Sequence, residues 1–333
     1  MSKLVHSMYF QLMAIATLVS RVTMVYKNIR GFPEYDEKME RYEMYSPTSV
    51  AKAKLHRLFS FIIVSTCLIM IVPINLFRLY LISRYQWKGD YVIVVFFVYL
   101  YMQNLSMCLT EVNFILTCFG LNQKFQLINE DMDELRSVII EINKYPNVLR
   151  SNWRDQTTLK TKDDGNSKIP MFHSRTLRSF VNRPLTRTVE RLRARHQYAR
   201  NAMEDLNGLY GIQLGLSLCV LCAMALFDIY GEAFRDSDSS NSFIFIYGWL
   251  LQYSFRFCAI VIIAHLTTEQ ARKSEKFITD INNRYLDNNT KEELLLFMNQ
   301  ISSHDIEFTA CDFFTLNPHL ITSVSRRCYT LPN

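Results

Sequence analysis

The chain has 333 residues, of which 49% are hydrophobic, yet its mean hydropathy is only +0.01. Large polar segments must therefore dilute a set of strongly apolar segments. The formal net charge is +6, and it is concentrated in polar segments that we assign to the cytosol below. This distribution favours the anionic lipid of an inner membrane leaflet over nucleic acid as the charged partner, and we expect no nucleic-acid partner.

Five long stretches of the chain are almost free of charged residues. Each is close to the roughly 20 apolar residues that cross a bilayer about 30 Å thick. A helix in the core of a soluble protein rarely excludes charge over such a length. The sequence therefore predicts an all-α, polytopic membrane helical bundle with about five complete spans. The stretches are 8–25, 58–82, 91–119, 208–230 and 243–266.

Lysine and arginine are distributed unequally among the loops between these stretches. Loops 26–57, 121–205 and 267–307 hold seven, sixteen and five basic residues, whereas 83–90 holds two and 231–242 holds one. Cytoplasmic loops of membrane proteins carry the excess of basic residues. We therefore predict that the three basic loops are cytosolic and the two poor loops are extracellular, so that the first span enters from outside.

The first apolar stretch permits two interpretations. Residues 8–20 contain Ala14-Ile15-Ala16, which is similar to a cleavage site, so the stretch could be a signal peptide. Alternatively it is a genuine span, preceded in a longer relative by a helix that is absent here. We prefer the second interpretation.

The long basic loop contains three kinds of sequence. Apolar residues from Leu121 to Val138 keep helical spacing, so we expect the third span to continue into the cytosol as one helix. Residues 151–170 are rich in turn-forming residues, which indicates a flexible insertion. The arginine-rich segment 175–200 predicts a solvated helix that leads into the next span, with a lipid-headgroup or calmodulin-type contact as the alternative.

No pattern typical of catalysis occurs in the chain. Phosphate-cradling glycine loops, a nucleophile elbow and an H-E-x-x-H motif are missing from the sequence. We therefore predict neither enzymatic activity nor a cofactor or metal. Six of the eight cysteines fall inside predicted spans, where a thiol packs as a small apolar side chain. Cys219 and Cys222 have the spacing of a redox motif, but no charge lies nearby to activate a thiol.

Polar residues within the spans are the candidates for function, because a polar group at membrane depth is costly and faces a bundle interior or a water-filled cavity. Tyr247 and Trp249 could instead belong to an interfacial aromatic belt, and Gln252 could simply form an interhelical hydrogen bond. The polar and aromatic residues concerned are Gln103, Asn104, Glu111, Asn113, Asp228, Tyr247, Trp249, Gln252, Tyr253 and Arg256.

Two segments resemble a known family. Residues 193–214 (RARHQYARNAMEDLNGLYGIQL) resemble the pattern of insect gustatory receptors, in which a histidine and a later asparagine precede the fifth transmembrane helix. Residues 307–324 (EFTACDFFTLNPHLITSV) resemble the stretch that leads this family into its seventh helix. With the pattern of spans, the resemblance covers nearly the whole chain.

The resemblance implies a seven-helix receptor in the plasma membrane of a chemosensory neuron, assembled as a tetrameric ligand-gated cation channel with the same or other gustatory receptor subunits. It assigns 8–120 to helices two to four, 121–205 to a cytosolic region, 206–270 to helices five and six, and 271–333 to a cytosolic helix and the start of helix seven. The family's Thr-Tyr and Gln-Phe hallmark does not follow residue 324. We therefore expect a truncated chain that lacks the first helix and cannot form the pore by itself.

The resemblance also implies that a small tastant enters a cavity between the outer halves of helices two to six. A sugar and a bitter compound are both compatible with such a lining. An insect odorant receptor is the main rival interpretation, and a G-protein-coupled receptor or a transporter is less compatible with the predicted orientation and the low glycine content. The ligand-binding candidates are Phe96, Tyr99, Gln103, Asp228, Tyr247, Trp249, Gln252 and Tyr253.

Overall fold

The computed structural model describes residues 2–26, 29, 31–47, 49–85, 91–144, 185–233, 242–281, 284, 286–303, 307–311 and 313–330. Eight α-helices and one two-stranded hairpin lie within these residues. They are α1 (Ser2–Tyr26), α2 (Phe32–Tyr45), α3 (Val50–Tyr85), α4 (Tyr91–Lys144), α5 (Leu185–Ala233), α6 (Ser242–Thr279), α7 (Asn288–Ser302), β1 (Thr309–Ala310), β2 (Phe314–Thr315) and α8 (Pro318–Thr330). The predicted flexible insertion at 151–170 lies outside the described residues.

Four of these helices are long and apolar enough to cross a membrane, counting only the residues that the structure describes. They contain the second to the fifth predicted spans, which confirms the helical membrane bundle. In α1, which carries the first predicted span, the qualifying apolar part is the shorter segment Ala14–Thr23. The four longer segments are Val50–Phe77, Phe97–Glu141, Leu185–Ile229 and Ile246–Thr279.

The longest helix, α4, contains 54 residues without interruption. At 1.5 Å per residue it is roughly 80 Å long, more than twice the thickness of a bilayer core. The prediction that the third span continues as one helix is confirmed. In the continuation Leu121, Phe125, Ile128 and Met132 are fully buried, and their spacing of three and four residues places them on one helix face.

The arginine-rich start of α5 is more buried than the sequence indicated. Val189, Leu192 and Ala199 are at most 2% exposed, and they belong to the main core together with residues of α4 and α7. The expectation of a solvated helix is therefore wrong for this face. Three small or branched apolar residues are enough to form a buried face here, because α4 and α7 pack against them.

A buried tyrosine joins α2 to the two long helices. The Tyr42 hydroxyl donates a hydrogen bond to the Lys124 backbone carbonyl at 3.2 Å and accepts one from Arg195 Nη2 at 3.3 Å. Burial raises the pKa of Tyr42 above its ordinary value, so the hydroxyl keeps its proton and remains a donor. The Arg195 guanidinium also forms an ion pair with Asp131. A short helix is thus fixed against α4 and α5 by polar contacts.

The turn of the hairpin and the start of α8 are each set by the backbone preferences of a few local residues. Strands β1 and β2 pair antiparallel, with Thr309 opposite Thr315, and Cys311 in the turn adopts a left-handed conformation with φ of 53°. Helix α8 begins at Pro318, whose fixed φ suits a first helical position. The preceding Asn317 caps the helix, because its Oδ1 accepts a hydrogen bond from the Leu320 N–H at 3.3 Å.

Candidate functional site

A buried ion pair connects α4 to α6 within their apolar parts. Arg256 Nε donates to Glu111 Oε2 at 2.7 Å, and Arg256 Nη2 donates to Glu111 Oε1 at 2.8 Å. The two side chains are only 3% and 4% exposed. Two parallel bonds of this kind fix the relative orientation of both groups as well as their separation. At membrane depth each charge thereby supplies the partner that the other requires.

Two further polar side chains complete the environment of the pair. Arg256 Nη1 donates to Asn104 Oδ1 at 2.8 Å, and the Ser217 hydroxyl donates to Glu111 Oε1. Ser217 lies on α5, so one connected network joins α4, α5 and α6. A buried ion pair is tolerated when extra hydrogen bonds satisfy its remaining groups, and this network meets that condition.

Two buried glutamines near the ion pair lack hydrogen-bond partners among the described residues. Gln252 is 1% exposed and both of its amide atoms are unpartnered, while Gln103 is 3% exposed with its Oε1 unpartnered. Gln252 precedes Arg256 by one helical turn, and Gln103 precedes Glu111 by two turns, so both lie towards the predicted outer ends of their helices. Buried amides are normally hydrogen-bonded, so these two are expected to bind a water molecule or a ligand. The two groups can donate and accept hydrogen bonds.

Aromatic side chains share the helix face that carries Gln252. Tyr253 is 6% exposed and belongs to the main core, and Trp249 is half-buried and packs against that core. Residues 249, 252, 253 and 256 follow the spacing of one helix face. Three of the predicted site residues, Trp249, Gln252 and Tyr253, therefore lie on the same face of α6 as Arg256, within the two turns that precede it.

The other predicted site residues are placed differently. Tyr99 and Tyr247 are 53% and 68% exposed, so neither is enclosed by the bundle in this chain. Asp228 is half-buried in the outer part of α5. The side chain of Phe96 lies outside the described residues. The assignment of all eight predicted residues to a ligand site stays a prediction.

Glu111, Asn104 and Arg256 were recognisable in the sequence as polar residues within spans, but they were not among the predicted ligand-binding residues. The available signal was the presence of one acid and one base at membrane depth, which requires a partner for each. Ser217 carried no such signal, because a serine in an apolar helix usually bonds to its own backbone. No group of three or more His, Cys, Asp or Glu residues among the described ones could hold a metal ion.

The two segments that carried the family resemblance meet in space. The Asn207 side chain accepts a hydrogen bond from the Thr309 N–H at 2.9 Å and donates one to Thr309 Oγ1 at 3.1 Å. Two residues further along, the Cys311 N–H donates to the Gly211 carbonyl at 3.1 Å. A Cβ at Gly215 would lie 2.2 Å from Cys311 Sγ, so any larger residue at this position would force the Cys311 side chain to move.

A shallow groove adjoins this junction. It has a volume of about 510 Å³ and is formed by the hairpin and the first turns of α8. Phe313 at its rim is 88% exposed. Its lining includes His319 but no Asp, Glu, Lys or Arg side chain. The groove lies on a different part of the fold from the buried amides and is not included in the candidate ligand site.

A buried histidine marks the interior of the region beyond the spans. His196 is 2% exposed, and neither ring nitrogen has a hydrogen-bond partner among the described residues. Its ring lies edge-on to Phe125 of α4 and Phe297 of α7, with centroid distances of 5.9 and 5.5 Å. The imidazole packs as an aromatic ring between two helices. Its two buried nitrogens, which have no partner among the described residues, lower the free energy of unfolding.

Comparison with known proteins gives a consistent result. The model of a family described as 7tm chemosensory receptor matches residues 53–325. The structure is similar to the insect olfactory receptor OR5 from Machilis hrabei, with a TM-score of 0.61 and 10% identity over 98% of this chain and 79% of that chain. The same receptor in complex with eugenol gives a TM-score of 0.59 and 12% identity, with equal coverage. No curated protein matches. At these identities the two structures support a shared fold.

Proposed function

Because the chain belongs to the 7tm chemosensory receptor family, we propose that it is a gustatory receptor subunit that binds a small tastant and contributes to a ligand-gated cation channel. The family consists of receptors, and the chain is a multi-pass membrane protein without an enzymatic role. The gustatory assignment is supported by segments 193–214 and 307–324, which resemble gustatory receptors and contact each other through Asn207 and Thr309. The proposed location is the plasma membrane of a chemosensory neuron.

The proposed ligand site lies between the outer halves of α4 and α6. Its main support is Gln252, a buried side chain whose amide has no hydrogen-bond partner among the described residues. A ligand that hydrogen-bonds to Gln252 and Gln103 would remove the cost of these unpartnered groups. Trp249 and Tyr253 supply aromatic surface on the same face of α6, and ligand sites commonly combine such surface with a few polar groups.

The ion pair below this site determines what kind of ligand fits. Glu111 and Arg256 already satisfy each other, so a ligand meets neutral amides and aromatic rings and no unpaired charge. A neutral molecule with a hydroxyl or carbonyl group is therefore the proposed ligand class. Because Glu111 and Arg256 also fix α4 against α6, a ligand that favours a different arrangement of the two helices shifts the equilibrium by its difference in affinity.

A binding experiment on the purified protein in lipid nanodiscs tests this site. Sucrose, caffeine and eugenol are added separately, and the unfolding temperature is measured. A ligand present at 100 times its Kd stabilises the folded state by about 2.7 kcal/mol. Gln252→Leu should abolish the stabilisation without impairing folding, because it removes an unpartnered amide. Gln126→Leu, at an exposed position of α4, is the matched control and should retain it.

The same panel separates the two receptor classes. Stabilisation by sucrose or caffeine supports the gustatory assignment, whereas stabilisation by eugenol alone favours an odorant receptor, as in the Machilis hrabei complex with eugenol. An equal response of Gln252→Leu and the control variant would place the ligand elsewhere.

We further propose that the polar ends of the long helices associate the subunits into a homo- or hetero-tetramer. The segments concerned are 121–145 and 268–307. Leu295 and Leu296 on α7 are 57% and 46% exposed, and such apolar side chains are typical of a surface that another subunit covers. Leu295→Glu with Leu296→Glu should dissociate the oligomer on native gels. Asn289→Glu, at the exposed start of the same helix, should not.

A further inference from the structure

One face of the first turns of α3 packs against α4. On this face Lys52 forms an ion pair with Glu130 of α4 at 3.2 Å. Two turns further along, the Phe59 ring stacks on the Phe119 ring of α4, with 3.9 Å between their centroids. The basic residue on the inner face of α3 is therefore neutralised within the bundle.

The opposite face of the same turns carries two basic residues without an acidic partner. Lys54 and Arg57 are both exposed, and neither side chain forms an ion pair or a hydrogen bond with a residue that the structure describes. Helix α3 contains no Asp or Glu, and Glu130 of α4 is already paired with Lys52. The positive charge of this face is therefore available to an anion outside the bundle.

An exposed apolar stripe continues from these basic residues along the predicted span. Leu58 and Phe61 are 56% and 72% exposed, and they follow Lys54 by about one and two helical turns on the same face. From residue 54 to residue 76 the helix rises roughly 33 Å, which is close to the thickness of a bilayer core. A face of this kind meets lipid acyl chains along its length and headgroups at its basic end. The further exposed members of the stripe are Ile62, Ile69 and Leu76.

We propose that the lipid face of α3, formed by Lys54, Arg57, Leu58 and Phe61, binds an anionic phospholipid on the side of the membrane assigned to the cytosol. Arg57 adjoins the apolar stripe and binds the phosphate, which a guanidinium recognises through two parallel hydrogen bonds. Lys54 lies about one turn further from the bilayer and binds a second anionic group of the headgroup. The acyl chains lie along Leu58 and Phe61.

The two cations select the class of lipid. Phosphatidylserine carries a carboxylate beyond its phosphate, so it offers one anionic group to Arg57 and a second to Lys54. Phosphatidylcholine has a quaternary ammonium in that position, which would lie beside Lys54 and be repelled. Each basic residue near an anionic headgroup contributes about fivefold to binding. The proposed occupant is therefore a phospholipid of the phosphatidylserine type.

Photo-crosslinking of the full chain in phosphatidylcholine nanodiscs tests the site. The bilayer contains a small amount of phosphatidylserine with a diazirine in its acyl chain, and the labelled residues are located by mass spectrometry. We expect labelling at Leu58 and Phe61 that unlabelled phosphatidylserine suppresses and added phosphatidylcholine does not. Lys54→Gln with Arg57→Gln should reduce this labelling at least about fivefold. The unfolding temperature should stay the same, because both side chains are exposed and unpaired.

The matched control is Lys273→Gln with Lys276→Gln on α6. These two lysines are also exposed and three residues apart, but they lie roughly 10 and 15 Å beyond the end of the predicted span at residue 266. Arg57 and Lys54 lie only roughly 2 and 6 Å from the start of theirs at residue 58. The control should therefore keep the labelling of wild-type protein.

Four results would overturn the proposal. Equal labelling by the phosphatidylcholine analogue would mean that the headgroup is not recognised. Unchanged labelling in the Lys54 and Arg57 variant would remove these residues from the site. An equal loss in the control variant would mean that only the total charge of the protein matters. Labelling that occurs only after the oligomer dissociates would mean that a second copy of the chain covers this face.

Discussion

Replacing Glu111 by Met tests whether the ion pair holds the bundle together. The substitution removes both hydrogen bonds from Arg256 Nε and Nη2, which leaves the guanidinium its bond to Asn104 as the one hydrogen bond to a described residue. Removing one partner of a buried ion pair costs about 3–5 kcal/mol, because the remaining charge is desolvated and uncompensated. For a chain of this size we expect the unfolding temperature to fall by on the order of 10 °C.

The measurement is thermal unfolding of the purified protein in nanodiscs, combined with a double-mutant cycle. Glu111→Met with Arg256→Met leaves no unpaired charge, so the double variant should be more stable than either single variant by several kcal/mol. The matched control is Glu37→Met, which breaks an ion pair with Arg41 whose side chains are 62% and 52% exposed. An exposed pair of this kind contributes about 0–1 kcal/mol.

Two results would refute this reasoning. Equal losses of stability in Glu111→Met and Glu37→Met would mean that the buried pair contributes no more than a surface pair. Additive losses in the double variant would mean that Glu111 and Arg256 do not interact energetically, and the network could then not fix α4 against α6.

Three further predictions concern other parts of the fold. A glycosylation sequon engineered at 236–241 should be modified in microsomes and one at 160–168 should not, because the basic loops are assigned to the cytosol; modification of the second site alone would reverse the orientation. His196→Leu should raise the unfolding free energy by about 1–3 kcal/mol, since it removes two unpartnered ring nitrogens, and a loss of stability in thermal unfolding would contradict this. Gly215→Ala should destabilise the protein because its Cβ would lie 2.2 Å from the hairpin cysteine, whereas Gly208→Ala, with nothing within 4 Å, should not; equal melting curves would refute the close approach.

The helices could be predicted from the sequence because a span is a local property. Charge is excluded from about 20 consecutive residues, and the continuation of α4 keeps the helical spacing of Leu121 and Phe125. Burial of Val189 was not predictable in this way, since the residues that cover it come from other helices. The sequence alone therefore underestimated how much of α5 is enclosed.

The site was only partly predictable for a related reason. Gln103 and Gln252 were identifiable because a polar group within an apolar stretch is unusual. The pairing of Glu111 with Arg256 joins residues 145 positions apart, and nothing local selects one partner over another. The contact of Asn207 with Thr309 was not predicted, since the sequence showed only two separate segments that resemble the same family.

The unbroken length of α4 has a mechanical consequence. A continuous helix of 54 residues behaves as a lever about 80 Å long, with Gln103 in its outer part and Asn129 at the other side of the apolar segment. A tilt of about one degree around the outer end at Tyr91 displaces Asn129, which lies roughly 57 Å further along the helix, by about 1 Å. Asn129 is hydrogen-bonded to Ser274 and Gln270 of α6, so a displacement of this size is enough to break those bonds. A small tilt of α4 at its outer end would thus break the hydrogen bonds between Asn129 and α6, which lie on the opposite side of the apolar segment.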